Sequence, residues 1–452
     1  MEQRIASALR LADDARFERY GEDVYLRRTG TRKDYLFNEI VYDILRCYDG
    51  GKPVETEAVL TALAGQYDIP DEAEFREDML GFMSMLVGEG ILEEVGPAKH
   101  EPALSVQDRV TTLCRKEHRL FSACLELTYR CNERCVHCYV DDPAAGQGEL
   151  SVDEWKDVLD QLRRMGCLSV LLTGGEVCVK EGFVDIARHA TELGMLVDIY
   201  TNGIALDDET FDAIAALRPN SLSFSLYGGD ATTHDAITKV KGSFDRTVRA
   251  AMMTRCAGID TYIKTVVMRE NVHSLASLVR LGERLNIPVN PAYAIIDTHT
   301  GKSGASHRLN SVEEYAEAIK IFSRAGMAGT AQGVRDPDSY VCSAGLATLS
   351  IDPRGGVHPC NSLPTELGNV RRTPIQDIWQ NAPALEALKC LRFRDVCVQC
   401  EACESKDYCS ICLGRTGWTP GEATVIPEDI CQVAHAQRRV DQWLKENEEG
   451  QA

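Results

Sequence analysis

Apolar and polar residues alternate over 16–28 (RFERYGEDVYLRR) on either side of Gly21-Glu22-Asp23, which predicts a short hairpin. Residues 34–37 add a third strand, and Asn38, a good N-cap residue, precedes a helix over 39–47 that Gly50-Gly51 stops. Helices over 55–66 and 71–87 follow from apolar residues at helical spacing, and Gly88, Gly90, Ile91 and Leu92 end the unit. Three strands followed by three helices predict a small winged-helix-like domain over 1–95. Residues 96–119 carry Gly, Pro and scattered charge and read as a linker.

From 120 onward the period changes regularly. Strands are expected over 123–128, 168–172, 196–200, 221–226 and 261–268, with an extended segment over 289–296. Helices are expected between them, over 151–165, 183–193, 209–217, 244–257 and 274–285. This alternation predicts βαβ units and a parallel sheet, with ligand chemistry at the carboxyl ends of its strands. The catalytic domain is bounded at 120–330 and a cysteine-rich domain at 331–440, leaving a polar tail at 441–452. In the cysteine-rich part a strand is expected over 347–351, a turn at 352–356 and one helix over 374–388.

With 452 residues, 44% of them hydrophobic and 26% charged, the composition is that of a soluble globular protein. A net charge of −20 argues against a nucleic-acid partner and favours a cationic or apolar peptide. No apolar run reaches membrane-spanning length and the first residues lack a signal pattern, so a cytoplasmic protein without membrane association is expected. In that compartment 18 cysteines point to metal sites, and nine of the 18 fall between Cys342 and Cys431. Cys47, Cys114 and Cys124 lack partners at ligand spacing and read as structural.

Cys131, Cys135 and Cys138 follow the first strand of the catalytic domain as CxxxCxxC, with Tyr139 beside the last. Three thiolates in one loop can ligate three irons of a [4Fe-4S] cube and leave the fourth open. A zinc knuckle is the competing reading, although zinc sites usually pair two CxxC units. The spacing resembles the signature of the radical S-adenosylmethionine (radical SAM) superfamily, in which SAM chelates the open iron and is cleaved to a 5′-deoxyadenosyl radical. That resemblance implies a partial (βα)6 barrel and assigns further residues. Gly174, Gly175 and Glu176 resemble the GGE motif that holds the SAM amino group, with Val177-Cys178 in place of the usual proline. Thr201 and Asn202 resemble the TNG turn, Ser225 lies in an SxYG-like strand end, and Lys264 is a candidate partner for the SAM carboxylate. Tyr139 joins this SAM-binding set, and the run from His234 to Phe244 resembles a further motif of the same subgroup.

Two more resemblances extend the picture. The cysteine-rich end resembles the seven-cysteine SPASM extension, which carries two auxiliary [4Fe-4S] clusters and brings the expected total to three. Carried over by position, Cys342, Cys360 and Cys412 would hold an inner cluster, and Cys400, Cys403, Cys409 and Cys431 an outer one. The inner cluster then borrows Cys390 or Cys397, or keeps an open iron for a substrate thiolate. Two zinc sites are the alternative here. The segment from Ala12 to Val95 resembles the PqqD-like peptide recognition element, through its Gly21–Tyr25 hairpin, Tyr35 to Asn38 and the GIL ending. In that family a precursor's leader adds a strand to a sheet edge; a winged helix for dimerisation or DNA binding competes.

Together the resemblances imply a maturase of a ribosomally synthesised peptide, reduced by a flavodoxin or ferredoxin-type partner. A cysteine thioether to carbon is the favoured product. Carbon–carbon crosslinking and formylglycine-type oxidation are alternatives within the class, and an iron–sulfur electron carrier or scaffold is the non-enzyme alternative. No residue stands out in the sequence as catalytic acid or base.

Overall fold

The computed structural model describes residues 8–12, 15–28, 31, 33–48, 54–67, 69, 71–94, 106–142, 144–325, 337–396, 400, 402–422 and 424–449. Gly50-Gly51, the first part of the expected linker, Cys397 and the last three residues lie outside them. The chain forms two compact units, 1–113 and 114–452. Among the described residues no helix is long and apolar enough to cross a membrane.

The first unit has two small sheets. Strands β1 (Ala8–Leu11), β5 (Val54–Glu55) and β6 (Leu92–Glu94) make one, in the order β5-β1-β6. Strands β2 (Ala15–Tyr20), β3 (Asp23–Arg28) and β4 (Lys33–Asn38) make an antiparallel meander, with Tyr20 paired to Asp23 across the expected hairpin turn. Gly21 takes a left-handed φ of 66° there, where a Cβ would be strained. Helices Glu39–Cys47, Thr56–Ala64 and Glu72–Gly88 pack a closed core around Leu9, Leu26, Ile44 and Met83. Asn38 occupies the N-cap position but its side chain makes no capping bond, whereas Asp71 caps the third helix through Ala73 and Glu74. The strands of the β1 sheet were not expected, being too short for an alternation to register.

In the second unit, β7 (Ser122–Glu126), β8 (Ser169–Thr173), β9 (Leu196–Thr201), β10 (Ser221–Ser225), β11 (Thr261–Val266) and β12 (Val289–Ala292) lie parallel in chain order. Helices connect them. In Val152–Arg164, for example, Ser151 and Glu154 form a capping box, and Trp155, Val158, Leu159 and Leu162 turn one face into the core. Each such side chain contributes about 1.5–3 kcal/mol through burial.

The sheet continues past β7. Strand β13 (Thr348–Ile351) adds in parallel, Ile351 opposite Leu125, and β14 (Gly356–His358) and β15 (Gly368–Asn369) follow antiparallel. The cysteine-rich segment is therefore welded to the first strand of the parallel sheet. Three expectations change here. The single helix over 374–388 is two, Ile375–Asn381 and Pro383–Cys390, because Pro383 holds Ala382 extended at ψ 122°. Val106–Glu117, within the expected linker, is helical. Residues 441–449 of the expected polar tail are the end of a long helix, Glu428–Glu449, which packs on Val312–Arg324.

Candidate cluster loop and substrate cavity

Cys131, Cys135 and Cys138 lie half-buried in the loop that leaves β7. Two features hold this loop. Its backbone donates from Arg134 and Val136 to the carbonyls of Thr238 and Ile237, at 2.9 and 3.1 Å. Its root is tied by buried Glu149, which accepts from the Thr128 hydroxyl at 2.7 Å and from the Tyr129 N–H at 3.0 Å, and pairs with Lys180 at 3.6 Å.

The three thiols are close enough to raise one another's pKa, after burial as the main cause, and Cys131 is pushed up to about 12. Such thiols become ligands when a metal displaces their protons. Cys131 Sγ already accepts from the Glu133 N–H at 3.4 Å and faces Asn202 Nδ2 at 3.9 Å, the N–H···S pattern that supports a cluster thiolate. His137 Nδ1 and Glu133 Oε1 are buried beside them without a partner. Among the described residues no three His, Cys, Asp or Glu side chains gather as a single-ion site. Three thiols distributed along one loop fit the separate corners of an iron–sulfur cube.

The GGE and TNG turns meet directly. Glu176, buried, accepts from Thr201 Oγ1 at 2.6 Å, from the Asn202 N–H at 2.6 Å and from the Cys178 N–H at 3.0 Å. Asn202 Nδ2 donates to Asn132 Oδ1 at 2.6 Å, carrying the link into the cluster loop. The glycines serve the chain's own packing: a Cβ on Gly174 would strike the Thr128 carbonyl, and one on Gly175 the carbonyls of Tyr129 and Arg130. Ser225 stands opposite Lys264 in the parallel register, and Lys264 Nζ lies 5.3 Å from the Tyr200 ring centre. Burial lowers the Lys264 pKa. The run from His234 to Phe244 is a brace. Asp235 accepts from the Gly242 and Phe244 N–H groups and the Ser243 hydroxyl, while His234 Nδ1 accepts from the Tyr227 N–H at 3.1 Å.

Farther along, the Cys342, Cys360 and Cys412 thiols interact with one another, and Cys431 interacts with Cys400 and Cys403. Cys409 is buried. Cys390 is exposed at the end of its helix, whereas Cys342, Cys360, Cys400, Cys403, Cys412 and Cys431 are half-buried.

A cavity of about 570 Å³ is lined by residues next in sequence to cysteines of both groups. Its wall includes Tyr139, next to Cys138; Asn361 and Ser362, next to Cys360; and Gly414 and Arg415, just after Cys412. Glu126, the last residue of β7, also lines it. This carboxylate is 2% exposed and accepts from the phenols of Tyr139 at 2.6 Å and Tyr129 at 3.3 Å. Tyr139, expected among SAM contacts, thus spends its hydroxyl on Glu126. Burial is the largest cause of a Glu126 pKa raised to about 7. Neighbouring Asp352, bonded to His358 at 3.1 Å, pushes in the same direction and His358 opposes it. Strand alternation gives no hint of this acid; only the β13–β7 register assembles its surroundings.

Comparison with known proteins fits this geometry. Residues 125–282 match the radical SAM superfamily, and residues 342–412 match the SPASM iron–sulfur cluster-binding domain. The protein is a radical SAM enzyme, with a SAM-binding cluster and auxiliary iron–sulfur clusters. Among its relatives is the AdoMet-dependent heme synthase of Methanosarcina barkeri, 28% identical over 66% of this chain and 92% of that protein. The antilisterial bacteriocin subtilosin biosynthesis protein AlbA of Bacillus subtilis is 26% identical over 86% of this chain and 87% of AlbA. In structure, Streptococcus suis SuiB bound to S-adenosylmethionine aligns with a TM-score of 0.57 at 16% identity, over 90% of this chain and 96% of SuiB. SuiB has also been solved bound to its precursor peptide SuiA, and aligns there with a TM-score of 0.56.

Proposed function

We propose that this enzyme matures a ribosomally synthesised precursor peptide, installing a crosslink for which a cysteine thioether to carbon is the favoured form. The observation that carries the reading is one cavity whose lining includes both Tyr139, beside Cys138, and the residues following Cys360 and Cys412. A side chain held there is within reach of a hydrogen-abstracting centre and of an electron acceptor together. Cys131, Cys135 and Cys138 would hold the SAM cluster; Cys342, Cys360 and Cys412 an inner auxiliary cluster; Cys400, Cys403, Cys409 and Cys431 an outer one. With SAM bound, the first cluster supplies radical hydrogen abstraction. Gly174, Gly175, Glu176, Thr201, Asn202, Ser225 and Lys264 shape the SAM site, Glu176 chiefly by fixing the turn that carries Asn202.

Residues 1–95 act as a PqqD-like module that adds the precursor's leader to a sheet edge. Coverage supports a peptide substrate over a haem precursor. The heme synthase is matched over 92% of its length by only 66% of this chain, whereas AlbA is matched across 86% of it.

The test is anaerobic reconstitution with iron and sulfide analysis, followed by incubation with SAM, reductant and the precursor encoded nearest the gene. About twelve irons are expected, falling to about eight in a Cys131→Ala, Cys135→Ala, Cys138→Ala variant that makes no 5′-deoxyadenosine. The peptide should become lighter by two hydrogens per crosslink. Four irons with zinc, or a peptide unchanged while deoxyadenosine accumulates, would contradict the proposal.

A further inference from the structure

We propose that Glu126 is the proton acceptor of the crosslinking reaction, taking the proton of the substrate group that joins the carbon radical. This rests on the peptide-crosslinking reading above. A crosslink between a carbon and a cysteine sulfur breaks one C–H and one S–H bond and forms one C–S bond. The C–H hydrogen leaves as an atom in 5′-deoxyadenosine, one electron passes to an oxidised auxiliary iron–sulfur cluster, and one proton remains to be placed. The cavity must therefore contain an acceptor, and it must be screened from water.

Glu126 meets both requirements. Its carboxylate lines the cavity, is 2% exposed, and has both oxygens aimed by tyrosine hydroxyls, Tyr139 on Oε1 and Tyr129 on Oε2. His299 packs its ring at 5.3 Å from each tyrosine and completes the mouth around the acid. No lysine or arginine forms an ion pair with Glu126 among the described residues; Arg354 is engaged by Asp142 and Arg308 by Asp297 and Asp429. Besides the two tyrosines, the titratable groups that interact with it are Asp352 and His358, which bond to each other, and the thiols of Cys124 and Cys360. A carboxylate buried without an ion-pair partner is costly, so burial favours its protonated form and brings the carboxyl toward neutral pH, the range in which it serves as a general base. Of the other buried acids, Glu149 pairs with Lys180, Glu176 accepts from three donors of the TNG and GGE turns, and Asp429 pairs with Arg415; Glu133 lies in the cluster loop between Cys131 and Cys135 and does not line the cavity.

The test compares the wild-type holoenzyme with E126Q. Infrared spectra across pH should show a buried carboxylic acid band in wild type that titrates near neutrality and is missing from E126Q. Crosslink yield per turnover should fall at least about a hundredfold in E126Q, far more steeply than deoxyadenosine formation, and the wild-type rate should rise with pH through the infrared midpoint. Equal loss of crosslink and deoxyadenosine, or no such band, would make Glu126 a wall residue and overturn the proposal. Should E126Q fail to fold, E126D, with its carboxylate drawn back by one methylene, is compared on the same ratio. Its crosslink yield falls more than its deoxyadenosine if Glu126 handles the proton; the two fall together if it does not. If wild type itself makes deoxyadenosine but no crosslinked peptide, the functional reading fails before Glu126 is tested.

Discussion

Glu126 has a second consequence, for stability. Its folded pKa of about 7 lies above the ordinary 4.5, so between those values the folded state keeps a proton that the unfolded chain has lost. The stability this confers is complete below pH 4.5 and is lost as pH rises through 7. Relative to E126Q, wild type should lose about 3 kcal/mol between pH 4.5 and 8; thermal unfolding of both at the two ends measures it, and parallel midpoints would contradict the assignment. Lys180 gives the opposite case, a buried cation matched to Glu149 and to the Leu150 carbonyl at 2.6 Å. Lys180→Met should cost about 1.5–3 kcal/mol, since Glu149 loses its buried cation but keeps Arg130 at 4.0 Å and the Thr128 and Tyr129 donors; the loss is seen as a lower thermal midpoint and a looser root of the cluster loop. At this scale the sequence is uneven. Cys131, Cys135, Cys138 and the GGE and TNG residues are legible because their spacing is local. Glu126 is not: Tyr129 and Tyr139, which bond to it, are near in sequence, but Asp352 and His358, which complete its electrostatic surroundings, lie more than two hundred residues away and are brought to it through strand register.

The helix–strand alternation from β7 to β12 is nearly all readable, since each segment is long enough for its period to show. What escaped has specific causes. Glu428–Glu449 is rich in charge, and its docking depends on Trp443 lying between Lys320 and Arg324, at 5.4 and 5.1 Å, and on Arg439 pairing with Glu313. Those are tertiary contacts with no local signal. Pro383 alone marks the break at Ala382, against apolar spacing on both sides that reads as one helix. The double glycine gives the sharpest test of how elements carry the site. Gly175→Ala should drive the β8 turn off the Tyr129 and Arg130 carbonyls, and so displace the cluster loop. Iron content should drop by about four per chain, the SAM cluster alone, with the auxiliary signals retained. A variant with full iron and full deoxyadenosine production would show that the crossing is looser than described.

For the whole molecule, the first unit has its own core, and its meander has two edge strands, β2 and β4, flanking β3. Leader binding by strand addition should protect the outward amides of β2 or β4 from hydrogen exchange and leave the already paired amides of β3 unchanged. The second unit joins the two cysteine-bearing segments through one sheet, β13 beside β7, and places the cavity where they meet. The central claim is that a peptide side chain in that cavity gives up hydrogen to a radical made at the first cluster. Deuterium tracing tests it most directly: the precursor is made with deuterated side chains and backbone and turned over once with unlabelled SAM. Deuterium in the 5′-deoxyadenosine, together with a peptide that has lost that deuterium, is the result the account predicts. Unlabelled 5′-deoxyadenosine beside an unaltered peptide would contradict it.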